Sequence, residues 1–284
     1  MTDKLAGSDP SGSSRNSVKQ PAGNRFSRRY FLGGAIATGV TGAVAARLAY
    51  EHRTELHPFR VALWGRKSAK DFHERALEIE ERHQRQTAET VAALKRKYEN
   101  AVFGKMRVWD LIEKLHQCID PRDTALYTAS QFVHVRQVLA DMEQSGIQDP
   151  NFFLTSLLHD LGKVLLLTDE VPENIVCWAK RMGEQEEGIG LHNVVYQFGH
   201  GEFIYTRIKD HVPEPVAWVA RYHNIDPNDA APYMNARDRE LSEKYLLTFR
   251  EFDGRFSSPY FYPQVDMAKY RELVEQHFPQ PILF

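Results

Sequence analysis

The sequence predicts an all-α protein, and three observations carry that expectation. Apolar residues recur at three- and four-residue spacing along most of the chain after residue 100. Clusters of Pro, Asp, Asn and Gly separate these stretches, as in Asp149-Pro150-Asn151 and Asp226-Pro227-Asn228. Alternating runs of β-branched residues are scarce, and there is no internal repeat. The 284 residues, 42% hydrophobic and 11% aromatic, suit one large or two small domains with an ordinary core. A formal charge of −2 argues against nucleic acid as a partner. Cys118 and Cys177 are too few for a disulfide framework or a thiolate metal cluster. Any metal must then be held by histidine and carboxylate, and twelve histidines are present.

Residues 1–46 form a separate object, with 47–284 as the folded catalytic domain. Met1 to Arg29 holds six basic and two acidic residues, a charge of +4 that leaves −6 for the rest of the chain. Its Ser, Gly and Asn content and lack of apolar periodicity predict disorder. Ser27-Arg28-Arg29-Tyr30-Phe31-Leu32 then leads into an uncharged run through Ala46, short and weakly hydrophobic for a membrane span. Ala43-Val44-Ala45 supplies a small-x-small cleavage pattern. This segment resembles a twin-arginine (Tat) export signal, whose partner is the twin-arginine translocation machinery. The resemblance implies an exported, periplasmic protein with no stable membrane partner. A chance Arg-Arg pair or an uncleaved anchor are the alternatives.

From Ser68 to Asn100 a Glu/Arg/Lys-rich stretch with Leu77, Ile79, Val91 and Leu94 predicts one or two solvated helices. Val108 to Cys118 has helical spacing at Leu111, Ile112 and Leu115, and Asp120-Pro121-Arg122-Asp123 breaks it. Further helical stretches are expected near 128–143, 151–167, 191–209, 215–224 and 239–252.

The chemistry is concentrated in the segment from Phe152 through His159-Asp160-Leu161-Gly162-Lys163. An adjacent His-Asp pair inside a Leu/Phe-rich helix would be desolvated, and coordination to a cation offsets that burial. Imidazole with a hard carboxylate suits Fe, Mn or Zn better than Ca or Cu(I). The segment resembles the HD-domain superfamily, a helical bundle carrying a His-Asp doublet with further ligands on other helices. His134, His200, His223 and Asp253 lie in apolar-periodic segments that could supply them. Each alone reads more readily as a hydrogen-bonded core histidine or a helix-terminal aspartate than as a ligand. With the doublet they make four histidines and two aspartates, enough for two metal ions.

From about His83 to Phe284 the chain resembles the myo-inositol oxygenases, mixed-valent di-iron enzymes of HD fold. The likeness runs through His83-Gln84-Arg85-Gln86-Thr87, Phe103-Gly104-Lys105-Met106-Arg107-Val108, His134-x-x-Gln137 and Leu157 to Lys163. It continues in Gly199-His200-x-Glu202-Phe203-x-Tyr205, Arg221-Tyr222-His223, Phe249-x-x-Phe252-Asp253 and Pro279-x-x-Ile282-Leu283. The resemblance implies His134, His159, Asp160, His200, His223 and Asp253 as ligands of an Fe(II)/Fe(III) pair, with O2 as co-substrate. It implies Lys163 as a catalytic cationic donor to a substrate oxygen, with Asp120, His223 and Asn224 also at the substrate, a small polyol. Lys163 stands four residues after His159, on the same face of the expected helix, and its plainer reading is a solvated helix-end lysine. The implied reaction is ring cleavage of myo-inositol to D-glucuronate, begun by hydrogen abstraction at a ferric-superoxo species.

Three departures bear on the substrate. The segment between Lys163 and His200 is short and offers no match for the family's Gly-Asp inositol contact, although it holds Glu184-Gln185-Glu186-Glu187-Gly188. Asn224 stands where the family has serine, and Ser257 where it has lysine. Export is also unusual, since inositol breakdown is generally cytoplasmic. A di-iron oxygenase acting on another polyol or a phosphonate, an HD-type phosphohydrolase and a non-catalytic exported binding protein are the alternatives.

Overall fold

The structure is a computed structural model describing residues 71–126, 129–255, 258–259 and 261–284. The Tat-like segment and Ser257 lie outside the described residues. Among the described residues the fold is all-α, as expected, and no helix is long and apolar enough to cross a membrane.

The charged stretch from Ser68 contains two helices, α1 over residues 71–83 and α2 over Ala88–Lys97. Thr87 separates them, its Oγ1 accepting from the Thr90 amide at 3.2 Å and so capping α2. Ile79, Val91 and Leu94 are buried as the pattern required, but Leu77 is exposed. Helix α3, Val108–Lys114, follows the short strand β1, Lys105–Met106, and tightens into a 3-10 turn over Leu115–Gln117. Helix α4 spans Gln131–Gln144, and α5 spans Pro150–Leu158. Asp149 caps α5 by accepting from the Asn151 amide, with Pro150 preset for the first helical position.

The helix expected over 151–167 breaks at the His-Asp doublet. Asp160 leaves the α region (φ −94°, ψ 1°), and Leu161–Leu167 continues as 3-10 helix. Lys163 therefore does not share an α-helical face with His159; its amide bonds the Asp160 carbonyl three residues back. The expected helix over 191–209 is also shorter, because α6 covers only His200–Ile208. Before it, the Gln197 amide bonds the Lys180 carbonyl and the Phe198 amide bonds Gln86 Oε1. Those long-range partners take the hydrogen bonds a helix would have used.

Helix α7, Glu214–Tyr222, opens at Pro213 and Pro215. The short α8, Pro227–Ala230, is capped by Asp226. Helix α9, Ala236–Leu241, starts with a capping box between Asn235 and Asp238. A π-helical turn over Ser242–Leu246 joins it to α10, Leu247–Arg255, so Asp253 lies inside that helix rather than closing it. Helix α11, Met267–His277, carries no expectation from the sequence, although Asp266 caps it and Tyr270 and Val274 are buried. Strand β2, Ile282–Leu283, pairs antiparallel with β1, and Phe284 is fully buried beneath.

Helices α4, α5, α6, α7 and α10 pack around a common centre. Two glycines set how closely they approach. A Cβ on Gly162 would lie 2.2 Å from the His200 carbonyl oxygen, and one on Gly201 would lie 2.7 Å from the Arg221 carbonyl oxygen. Backbone cannot retreat from such a contact as a flexible side chain would. Gly162→Ala is expected to cost about 3 kcal/mol or more of stability by overpacking, against little for the same change at Gly254, where a Cβ meets open space. Denaturant unfolding of the two variants checks this.

Candidate metal centre

His134 comes from the first turns of α4, His159 and Asp160 from the break after α5, and His200 from the start of α6. His223 comes from the end of α7 and Asp253 from α10. All six converge, although they span about 120 residues of sequence. Five are buried, and Asp253 is partly open.

They form two lobes joined by Asp160. In one lobe Asp253 Oδ1 lies 2.9 Å from His134 Nε2 and 3.2 Å from His159 Nε2. In the other, Asp160 Oδ1 lies 3.2 Å from His200 Nε2 and 3.7 Å from His223 Nε2. Asp160 Oδ2 turns back to His159 Nε2 at 3.4 Å. One carboxylate thus reaches both lobes.

The tautomers follow from the other side of each ring. His159 Nδ1 donates to the Ser156 carbonyl at 3.0 Å, His200 Nδ1 to Ile175 at 2.6 Å and His223 Nδ1 to Ala220 at 2.9 Å. A carbonyl only accepts, so each Nδ1 holds a proton and each neutral ring presents a bare Nε2 to the centre. Fixing a ring through its outer nitrogen in this way is how proteins orient metal-binding histidines. Two such lone pairs, on His200 and His223, stand 3.1 Å apart. His159 Nε2 is buried near two carboxylates without hydrogen-bond geometry to either. Lone pairs forced together beside buried carboxylates require cations, and the residues present fit two metal ions. His134, His159 and Asp253 could hold one, His200 and His223 the other, with Asp160 shared.

Lys163 is buried, contrary to the reading as a solvated helix-end lysine. Its ammonium donates to Gln131 Oε1 at 2.9 Å, Asp120 Oδ2 at 3.0 Å and Asp160 Oδ2 at 3.0 Å. Burial opposes its charge, but Asp160 and Asp120 outweigh that and hold its pKa above the ordinary lysine value. Asp120 is fixed in turn by the Arg122 amide. Gln131 escaped the sequence reading, because a glutamine at a helix start carries no motif signal. Asn224 lies against the site, its Nδ2 donating to the Cys177 carbonyl at 3.3 Å.

A cavity of about 310 Å³ adjoins the cluster. Asp120, Lys163, His134, His200, His223, Asn224 and Asp253 all line it, as do Arg122, Val176 and Trp178, which the sequence did not single out. Glu202 and Arg221 lie outside it. They form a two-point ion pair (2.7 and 3.2 Å) that ties α6 to α7 two residues from His200 and His223. His83 and Gln86 brace the same region: the His83 ring contacts the carbonyls of Glu173 and Trp178, and Gln86 bonds Asn174 and Phe198.

Burial alone would depress the His159 pKa, but the Asp160 and Asp253 carboxylates push it up to about 10 in the metal-free protein. Burial dominates at His223 and brings it down to about 4. Asp160 and Asp253 stay well below the usual carboxylate range, because Lys163 and His159 outweigh burial at Asp160 and His159 and His134 do so at Asp253. At pH 7, then, His223 is already a free base, whereas His159 carries a proton a metal must displace. Metal binding at pH 7–8 is expected to release about one proton through His159, and affinity should rise with pH up to the His159 value. Titration calorimetry in buffers of different ionisation enthalpy measures both.

Comparison with known proteins agrees with the geometry. The sequence pattern of one family, myo-inositol oxygenase, matches residues 74–177 and 168–284. A protein of Oryza sativa subsp. japonica named probable inositol oxygenase is 27% identical, over 69% of this chain and 76% of its own length. Inositol oxygenase 1 of Arabidopsis thaliana is also 27% identical, over 70% and 76%. Inositol oxygenase of Rattus norvegicus is 22% identical, over 69% and 82%. The match through nearly all the described residues places this chain, with its six converging histidines and aspartates, in the myo-inositol oxygenase family.

Proposed function

We propose that this enzyme uses two iron ions, Fe(II) and Fe(III), and O2 to cleave the ring of myo-inositol to D-glucuronate. The observation that carries this reading is the convergence of four imidazole Nε2 atoms on Asp160 and Asp253 beside a lysine-lined cavity. Membership of the family supports it. The reaction opens one C–C bond of a cyclic polyol, and O2 supplies one oxygen atom to the carboxylate product and the other to water.

When bound, the ions supply Lewis acidity and one-electron chemistry with O2. His134, His159 and Asp253 would hold one, His200 and His223 the other, and Asp160 both. The chain's remaining work is to position and polarise the substrate. All three N–H bonds of Lys163 are occupied in the structure. The bond to Asp160 is the one a substrate oxygen can replace once that carboxylate is committed to the ions. Lys163 then stabilises negative charge on a substrate hydroxyl oxygen, and Asp120 keeps the ammonium aimed. The buried imidazoles exclude bulk water and strengthen these interactions.

His159→Ala and Asp253→Ala are each expected to lose at least one iron per chain and all inositol-dependent O2 uptake. Metal analysis and oxygen consumption on the same anaerobically loaded sample check this. Two irons without inositol turnover would redirect the search to other polyols or phosphonates. A redox-inactive metal and no uptake would favour a phosphohydrolase.

We further read residues 1–46 as a twin-arginine signal and 47–284 as the catalytic domain, giving an exported, periplasmic enzyme. Support comes from Ser27-Arg28-Arg29-x-Phe31-Leu32 ahead of the uncharged run. Replacing Arg28 and Arg29 by Lys is expected to leave the full-length chain in the cytoplasm, as cell fractionation would report.

A further inference from the structure

The ligand cluster, Asp120 and Lys163 account for most of the polar lining of the cavity, and Val176 and Trp178 supply an apolar portion that the oxygenase reading does not use. We propose that Trp178 determines specificity, its indole forming a platform for the C–H face of an uncharged, ring-shaped polyol. The inference rests on the oxygenase reading and extends it to the shape and charge of the substrate.

Trp178 lines the cavity yet is 42% exposed, which places it at the opening. Val176, two residues before it, lines the same cavity, whereas the intervening Cys177 is fully buried. The segment is held rigidly. His83 Nε2 stands 3.1 Å from the Trp178 carbonyl, and the Ala179 amide donates to the Asn224 carbonyl at 3.1 Å. The Cys177 carbonyl accepts from Asn224 Nδ2. The Arg250 guanidinium sits over the indole, 4.8 Å from the ring centre, and is anchored to the Ile225 carbonyl. One aromatic face is therefore taken by a cation, and Trp178 also lines the cavity.

An indole face is electron-rich and attracts weakly positive hydrogens. A cyclic polyol presents such hydrogens on a preformed face with its hydroxyls at the rim, free for Lys163 and the ions. An acyclic polyol must order its chain to do the same, at an entropic cost. The lining also argues against a charged ring substituent. Among the described residues Arg122, the lining's side-chain cation that the substrate hydroxyl does not use, is engaged by Glu80 at 2.9 Å.

The test uses the full-length, iron-loaded protein, without O2 for binding and with O2 for turnover. Tryptophan emission is followed during titration with myo-inositol or with mannitol, an acyclic polyol, for wild type, Trp178→Phe and Trp178→Ala. Subtracting the Trp178→Phe signal isolates Trp178 from the other tryptophans. Myo-inositol is expected to change that emission, and mannitol is not. Trp178→Ala should keep its iron but weaken inositol binding about tenfold, with KM raised more than kcat is lowered, while Trp178→Phe stays within about threefold. Wild-type turnover of inositol with an unchanged dissociation constant in Trp178→Ala would overturn the platform and leave the oxygenase reading standing. Emission changes with ring polyols but no O2 uptake would support the platform and overturn the oxygenase reading. No response of Trp178 emission to any ring polyol would overturn the platform.

Discussion

The structure depends on keeping two carboxylates, four imidazoles and an ammonium together inside an apolar bundle, all but Asp253 buried. Moving any of these charges from water into such surroundings is costly unless a partner stands beside it. Each finds one. Asp160 lies among His159, His200, His223 and Lys163, and Asp253 lies between His134 and His159. Backbone carbonyls fix the outer nitrogens of His159, His200 and His223, so the inner nitrogens cannot turn away from one another. The centre is thus held in a state satisfied only by cations, whether protons or metal ions.

The irregular features of the bundle follow from that requirement. A regular helix through His159 and Asp160 would aim consecutive side chains about 100° apart. The break at Asp160 allows one carboxylate to meet both lobes while Lys163 folds back onto it. Gly162 allows the chain at the break to touch the backbone of His200, bringing the doublet against the start of α6. The Glu202–Arg221 pair and Gly201 then hold α6 on α7, so His200 and His223 keep a short separation. The π-turn before α10 adds a residue to one turn and so resets which face carries Phe249 and Asp253. Phe249 packs edge-on against the His159 ring.

What could be read from the sequence divides along the same line. The doublet and its distant histidines were legible because polar residues inside apolar-periodic stretches have few physical explanations. Helices α2 through α5 and α7 were legible from spacing and from punctuation by Asp149-Pro150 and Pro213. The break at Asp160 and the extended approach to His200 were not, because both are decided by partners far away in sequence, the His200 backbone, Lys180 and Gln86. Helix α11 was missed because its buried positions, Tyr270 and Val274, are few and sit among charges. Gln131 and Trp178 carry no local signal, and only the tertiary structure shows one bonded to Lys163 and the other beside the cavity.

Chemistry and specificity are therefore built differently here. The candidate ligand set is over-determined, since backbone carbonyls fix the outer nitrogens of His159, His200 and His223 and Asp160 has four partners. A change at one member leaves buried groups uncompensated, which couples the centre to stability itself. The cavity lining differs: Trp178 is half exposed and carries no charge. Substitutions there alter what binds without unbalancing buried charge. In such a fold the aromatic wall is the cheaper place to tune which ring is accepted, and the buried cluster is the part held fixed.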